Sequence, residues 1–153
     1  MQVKNLMTQP PQTCPVTMRL AAVSRRMRET GCGTVVALNQ GRLAGIVTDR
    51  DLALAVGCAD DPARVQLETV MTRRVHTASP DDDLRVALEN MARHKVRRLP
   101  VVSQDGEVLG LISIDDIVLW GLQESGVTVH DAVAALRSIC ATYNAGVEET
   151  SAS

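Results

Sequence analysis

Apolar positions along this chain fall into blocks of changing period, and the blocks come in the same order twice. Leu20, Val23 and Met27, with Ala22, recur at helical spacing, and Leu84, Ala87, Leu88 and Met91 do so further on. Two short apolar stretches follow each run: Thr34 to Leu38 and Leu43 to Thr48, then Leu99 to Ser103 and Glu107 to Ser113. Asn39-Gln40-Gly41 and Gln104-Asp105-Gly106 join them as hairpin turns. These strands are apolar on both faces, which predicts that helices cover them. An extended, turn-rich stretch precedes each first helix (Pro10 to Pro15 and Val75 to Pro80), and a second helix begins at Asp49 and again at Ile114. Each half therefore reads β-α-β-β-α. The predicted fold class is α+β: two pseudo-symmetric repeats packed together, plus a C-terminal helix.

The repetition extends to individual residues. Leu6-Met7-Thr8 returns as Val70-Met71-Thr72, 64 residues later. Gly45-Ile46-Val47-Thr48-Asp49-Arg50-Asp51-Leu52 returns as Gly110-Leu111-Ile112-Ser113-Ile114-Asp115-Asp116-Ile117, shifted by 65. The extra residue falls near Asp105, in a loop. Residues 1–65 and 66–124 are the expected repeats, 125–144 a helical extension and 145–153 a disordered tail. Thr17 is the expected cap of the first helix, and Pro80 the expected first-turn proline of its counterpart. Thr128-Val129-His130-Asp131 resembles a capping box. Val129, Val133, Leu136, Ile139 or Cys140, and Tyr143 form an apolar stripe behind it.

Composition narrows the function classes. The chain has 153 residues, 45% of them hydrophobic, enough for one compact core or two small lobes sharing one. It has no Phe, one Trp and one Tyr, so the core is aliphatic. A net charge of −2 gives no general attraction to nucleic acid or anionic lipid. No apolar run approaches the ~20 residues that span a bilayer, and the N-terminus lacks the apolar run of a secretory signal. A cytoplasmic location is the resulting expectation. Cys14, Cys32, Cys58 and Cys140 lie far apart, as do His76, His94 and His130, so buried free thiols are expected and no metal site. The scattered His and Cys offer no nucleophile paired with a base, which argues against an enzyme.

The chemistry that recurs sits at a strand end. Thr48 and Ser113 each close a strand, and Asp51 and Asp116 follow one turn into a helix. A helix N-terminus offers free N–H groups and partial positive charge to an anion such as phosphate. The hydroxyl can bond the same phosphate or a sugar, and the carboxylate can accept from paired ribose hydroxyls. The same residues also make good N-caps and first-turn acids, so one copy alone favours a structural role. Two copies in matched context weaken that reading. Arg50 precedes Asp51 and suits phosphate, whereas Asp115 stands in its place in the second half. Arg93, His94, Lys95, Arg97 and Arg98 either compensate for Asp115 or form a solvated basic helix end.

The order of Met-Thr, extended stretch, helix, hairpin and G-h-h-(T/S)-x-x-D-h resembles a tandem pair of cystathionine β-synthase (CBS) domains, the Bateman module. The resemblance covers about residues 1 to 120 and both copies. Thr30 to Val36 and Val96 to Val102 are also similar to family segments, although the family's proline appears only as Pro100, with Val36 in the first half. It implies a non-enzymatic regulatory module that binds an adenosyl compound (AMP, ADP, ATP, NAD or S-adenosylmethionine) between its repeats, requires no cofactor, and signals to an effector protein. Asp51 and Asp116 would bond ribose, and Thr48 and Ser113 ribose or phosphate. Cys32, Gly33 and Thr34, with Val96, Arg97 and Arg98, would flank adenine, and Thr13 and Thr77 are further candidates. It also implies a homodimer. Leu52, Leu54, Ala55 and Val56, with Ile117, Val118, Leu119 and Trp120, are the expected interface, and the C-terminal helix docks across it or on its own chain. A structural dimerisation module with vestigial pockets is the alternative.

Overall fold

The computed structural model describes residues 1–122 and 126–148. The first repeat holds β1 (Thr13–Pro15), α1 (Leu20–Thr30), β2 (Thr34–Asn39), β3 (Arg42–Thr48) and α2 (Asp49–Cys58). The second holds α3 (Leu84–His94), β4 (Arg98–Val102), β5 (Val108–Ser113) and α4 (Ile114–Asp116), which runs on as a π-turn through Ile117–Gly121. A long α5 (Val129–Glu148) follows. The 123–125 linker, the Tyr143 side chain and the tail beyond residue 148 lie outside the described residues. Helix α5 itself covers positions 145–148, where the tail was expected to begin.

Strand β2 is central in the first sheet, parallel to β1 and antiparallel to β3. The hairpin turns on Gln40 (φ 50°) and Gly41 (φ 78°), two consecutive left-handed residues whose twist matches the flanking strands. In the second repeat only β4 and β5 form a ladder, and the expected leading strand shrinks to one bridge, Ala78 to Val101. The cause is Pro100. Its counterpart Val36 donates its N–H to the Gln12 carbonyl, whereas a proline ring has none to give, so the ladder cannot extend back toward His76.

Two compact units result, and they exchange segments across the repeats. One comprises Pro10–Val75 with Gln104–Val108. The other comprises Met1–Gln9, His76–Ser103 and the described residues from Leu109 on. Single 3₁₀ turns, Val3–Asn5 and Leu67–Thr69, lead into the two Met-Thr pairs. Val3 is fully buried with Leu84, Met91, Leu99 and Ile112 of the second repeat, and Leu67 with Val23, Val35 and Val47 of the first. Each Met-Thr pair then bridges the last strand of its unit, β3 or β5: Thr72 exchanges hydrogen bonds with Ile46 (3.0 and 2.9 Å) and Thr8 with Leu111 (2.9 and 3.1 Å). The crossing is close enough to require glycine. A Cβ on Gly45 would lie 2.9 Å from the Thr72 carbonyl oxygen, and one on Gly110 3.0 Å from that of Thr8. Packing, rather than ligand chemistry, thus explains the recurrence of these glycines and of Met-Thr.

Helix starts differ from the sequence expectation. Thr17 does not cap α1. The N-cap is Arg19, and the Val65 carbonyl accepts from the Leu20 N–H at 3.0 Å, so backbone replaces the side-chain cap. Nor does Pro80 enter α3, whose N-cap is Asp83, accepting from the Arg85 N–H at 2.9 Å. Pro80 instead uses its carbonyl to accept from the Lys4 N–H. Of the four thiols, Cys14 is buried, Cys32 and Cys140 are half-buried, and Cys58 is exposed against expectation.

Helix α5 covers its own unit. Val127, Ala135 and Ile139 join Ala87, Leu88 and Met91 in one cluster, and the Ser138 hydroxyl donates to the Ala92 carbonyl at 3.1 Å. The expected capping box forms: Asp131 Oδ2 accepts from the Thr128 N–H and hydroxyl, both at 2.8 Å. These bonds, backbone first, hold the Asp131 carboxyl below the usual carboxylate range, and Arg85 at 3.6 Å adds to them. Asp83 is lowered likewise, chiefly by the Arg85 backbone N–H. A lowered folded-state value contributes stability above the unfolded pKa of about 3.9 and loses it as pH falls through the folded value. Below about pH 4, urea stability should therefore fall more steeply for the wild type than for Asp131→Asn; parallel acid limbs would refute this.

Candidate functional site

Three turns of chain meet at the end of the first hairpin. The Gly33 carbonyl accepts from the Asp49 N–H at 3.0 Å, which ties the entry of β2 to the first turn of α2. Thr34 stands directly opposite Thr48 in the ladder, so both side chains share one face of the sheet. Asp51 Oδ2 accepts from the Thr48 N–H at 2.8 Å and from its hydroxyl at 2.7 Å, while Thr48 Oγ1 accepts from the Asp51 N–H at 3.3 Å. This is a reciprocal capping box. Both bonds to the carboxylate use Oδ2, which leaves Oδ1 able to accept from a ligand. Cys32, Gly33, Thr34, Thr48, Arg50 and Asp51 are thus gathered at one strand-to-helix junction. Thr13 lies one strand over, opposite Val36, and its carbonyl accepts from Arg26 at 2.6 Å.

The second repeat builds the same junction. The Arg97 carbonyl accepts from the Ile114 N–H at 2.9 Å. Asp116 Oδ2 accepts from the Ser113 N–H at 2.9 Å and from its hydroxyl at 2.6 Å, with the Asp116 N–H returning a bond at 3.1 Å. Val96, Arg97, Arg98, Ser113 and Asp116 are brought together, and Thr77 is exposed next to the single bridge. The basic cluster disperses. Lys95 ends α3 in the left-handed conformation, His94 stacks on His76 with ring centroids 3.5 Å apart, and Arg97 donates toward Cys140 Sγ at 3.6 Å. Arg98 pairs with Asp115 at 3.9 Å and partly supplies the compensation that Asp115 calls for.

A third Thr-x-x-Asp box, at Thr128–Asp131, has the same geometry outside either repeat. The box by itself is therefore a helix start, and what distinguishes the other two is the adjoining strand entry. Two further residues bear on the first junction. The Asp49 carboxylate packs against Gly33, where a Cβ would lie 3.1 Å from Oδ2. Arg26 donates to the Thr13 carbonyl, and its charge draws the Cys14 thiol down, although burial dominates and pushes that thiol up. A first-turn acid at Asp49 was visible in the sequence, whereas nothing local marked Arg26.

A cavity of about 690 Å³ lies elsewhere. It is an apolar groove between α1 and α2 lined by Leu20, Ala21, Ser24, Met27, Leu52 and Val56, with Asp49 at its edge. Of the expected interface residues, Leu52 and Ile117 are buried, while Leu54, Val56, Val118, Leu119 and Trp120 are exposed.

The sequence profile of the CBS domain matches residues 3–57 and 67–122. The chain belongs to the CBS domain family. As a CBS domain pair, it is 28% identical over 117 residues to the CBS domain-containing protein YhcV of Bacillus subtilis, covering 76% of this chain and 83% of that one. Longer relatives include a homoserine O-acetyltransferase of Methanococcoides burtonii, 33% identical over 118 residues, of which the chain spans 23%. Among solved structures, the CBS domain pair of protein MJ0100 in complex with 5′-methylthioadenosine and S-adenosyl-L-methionine is 25% identical. Its TM-score is 0.72, with 81% of this chain and 98% of that one covered. The CBS domain protein PAE2072 of Pyrobaculum aerophilum, complexed with AMP, is 28% identical with a TM-score of 0.70, over 78% of this chain and 92% of that one.

Proposed function

We propose that this chain is a regulatory adenosyl-ligand sensor. The observation that carries the reading is the doubled junction, in which a strand-end hydroxyl and a first-turn carboxylate lock each other beside a strand entry. The solved complexes with 5′-methylthioadenosine, S-adenosylmethionine and AMP support the ligand class. On this reading Oδ1 of Asp51 and of Asp116 accepts from ribose hydroxyls, and the capping bonds to Oδ2 hold each carboxylate in position beforehand. Thr48 and Ser113 add a bond to ribose or phosphate, and Arg50 meets phosphate. Cys32 to Thr34 and Val96 to Arg98 flank the base, with Thr13 and Thr77 at the periphery. The chain then works as a non-enzymatic cytoplasmic homodimer whose shape or dimer geometry changes on binding and is read by an effector protein.

A second reading, a dimerisation module with vestigial pockets, is favoured by the open groove between α1 and α2 and by Leu54 and Val56, 58% and 56% exposed. Ligand titration separates the two. A ligand that binds only the folded chain at about 100 times its Kd should add roughly 2.7 kcal/mol of stability. AMP, ATP, NAD and S-adenosylmethionine are the probes. Asp51→Ala and Asp116→Ala should each weaken binding at their own junction by calorimetry. Asp131→Ala removes an equivalent cap without touching either junction and should bind as the wild type does. Equal behaviour of all three variants would leave only the dimerisation reading.

A further inference from the structure

The two junctions differ in what their own residues leave unsatisfied. Thr34 is 4% exposed, and among the described residues its Oγ1 has no hydrogen-bond partner. A buried hydroxyl without a partner is destabilising and uncommon in folded chains. Its register opposite Thr48 puts it on the face that carries the Thr48–Asp51 box. The first junction also opens a helix of full length, Asp49–Cys58, whose first turn carries Arg50 between Asp49 and Asp51.

At the second junction the equivalent of Thr34 is Arg98. Each is the first residue of its strand and follows the carbonyl that accepts from the helix N1 position. Arg98 holds Asp115, which occupies the place of Arg50, at 3.9 Å. Part-exposed at this distance, the pair is weak. The helix behind it has only three α-helical residues before it widens to a π-turn.

We infer that the first-repeat junction is the tighter of two unequal sites, that it selects a phosphate-bearing adenosyl ligand, and that Thr34 makes a hydrogen bond to that ligand. The inference rests on the adenosyl reading above and specifies which junction fills first and why. Thr34 is a binding residue whose hydroxyl is satisfied only in the complex. Its removal therefore has opposite effects on the free chain and on the bound one.

Calorimetric titration of the full chain with AMP tests this. Two steps are expected, a tight one and a weaker one. Asp51→Ala should abolish the tight step and Asp116→Ala the weak step. Adenosine, lacking phosphate, should lose most of its preference for the first junction. Thr34→Val, nearly isosteric, should weaken the tight step about tenfold while raising the melting temperature of the ligand-free chain. A residue with only a structural role cannot produce that opposed pair. The inference is overturned if the tight step follows Asp116, if the two steps have equal affinity, or if Thr34→Val leaves AMP affinity unchanged. Failure of AMP, ATP, NAD and S-adenosylmethionine alike to bind the wild type would remove the adenosyl reading itself. Binding that follows Asp116 would remove this inference alone.

Discussion

Gly45→Ala should destabilise the chain by about 1–3 kcal/mol, the usual cost of forcing extra volume into a closed contact. The contact at issue is backbone. The new Cβ would stand 2.9 Å from the Thr72 carbonyl oxygen and 2.7 Å from Met71 Sδ. The sulfur can swing away, but the carbonyl is fixed by its own bond to the Ile46 N–H. Gly110→Ala should cost a similar amount, because its Cβ would meet Thr8 and Met7 in the same way. Gly57 is the control. It lies within α2 with nothing within 4 Å of an added Cβ, so Gly57→Ala should stabilise by about 0.5–1 kcal/mol through helix propensity. Urea midpoints of the three variants decide the matter. Gly45→Ala as stable as the wild type would mean that the Met-Thr segment is free to move off the strand.

Ending the chain after Leu122 should have a still larger effect and unfold the second-repeat unit. Helix α5 and the turn before it contribute Val127 (2% exposed), Ala135 (5%) and Ile139 (1%) to the cluster that holds Leu88 and Met91. Without them, the outward face of α3 becomes apolar surface in water, at roughly 25 cal/mol for each Å² exposed. Ile139→Ala alone should cost about 2–5 kcal/mol, as expected for a large-to-small change at a site that cannot collapse. Val133→Ala, on the 48% exposed side of the same helix, should change stability by less than about 0.5 kcal/mol. Circular dichroism with urea, on full-length and shortened chains, measures all three. A shortened chain that melts like the parent would show α5 to be an accessory rather than part of the core.

The order of elements was legible in the sequence because local chemistry specifies it. Helical spacing, two hairpin turns and two Thr/Ser-x-x-Asp boxes each act within a few residues, so β2 to α2 and β5 to α4 begin close to where they were expected. The junctions were legible for the same reason, since a capping box is a contact between residues three apart. The shortened leading strand of the second repeat was not expected from the pattern, although its cause, the N–H that Pro100 lacks, is a property of the residue itself. Partner choice was not legible. Gly45 could close on Met7 or Met71, and Val3 and Leu67 could each enter either core. Two repeats built in the same order offer similar local patterns, and only the three-dimensional packing assigns the Met-Thr segment of one repeat to the unit built on the other. The same holds for α1, capped by the Val65 carbonyl rather than by Thr17, and for α5, whose stripe predicted burial without naming α3. Thr34 belongs with these, because whether a hydroxyl is satisfied depends on every atom around it and not on its neighbours in the chain.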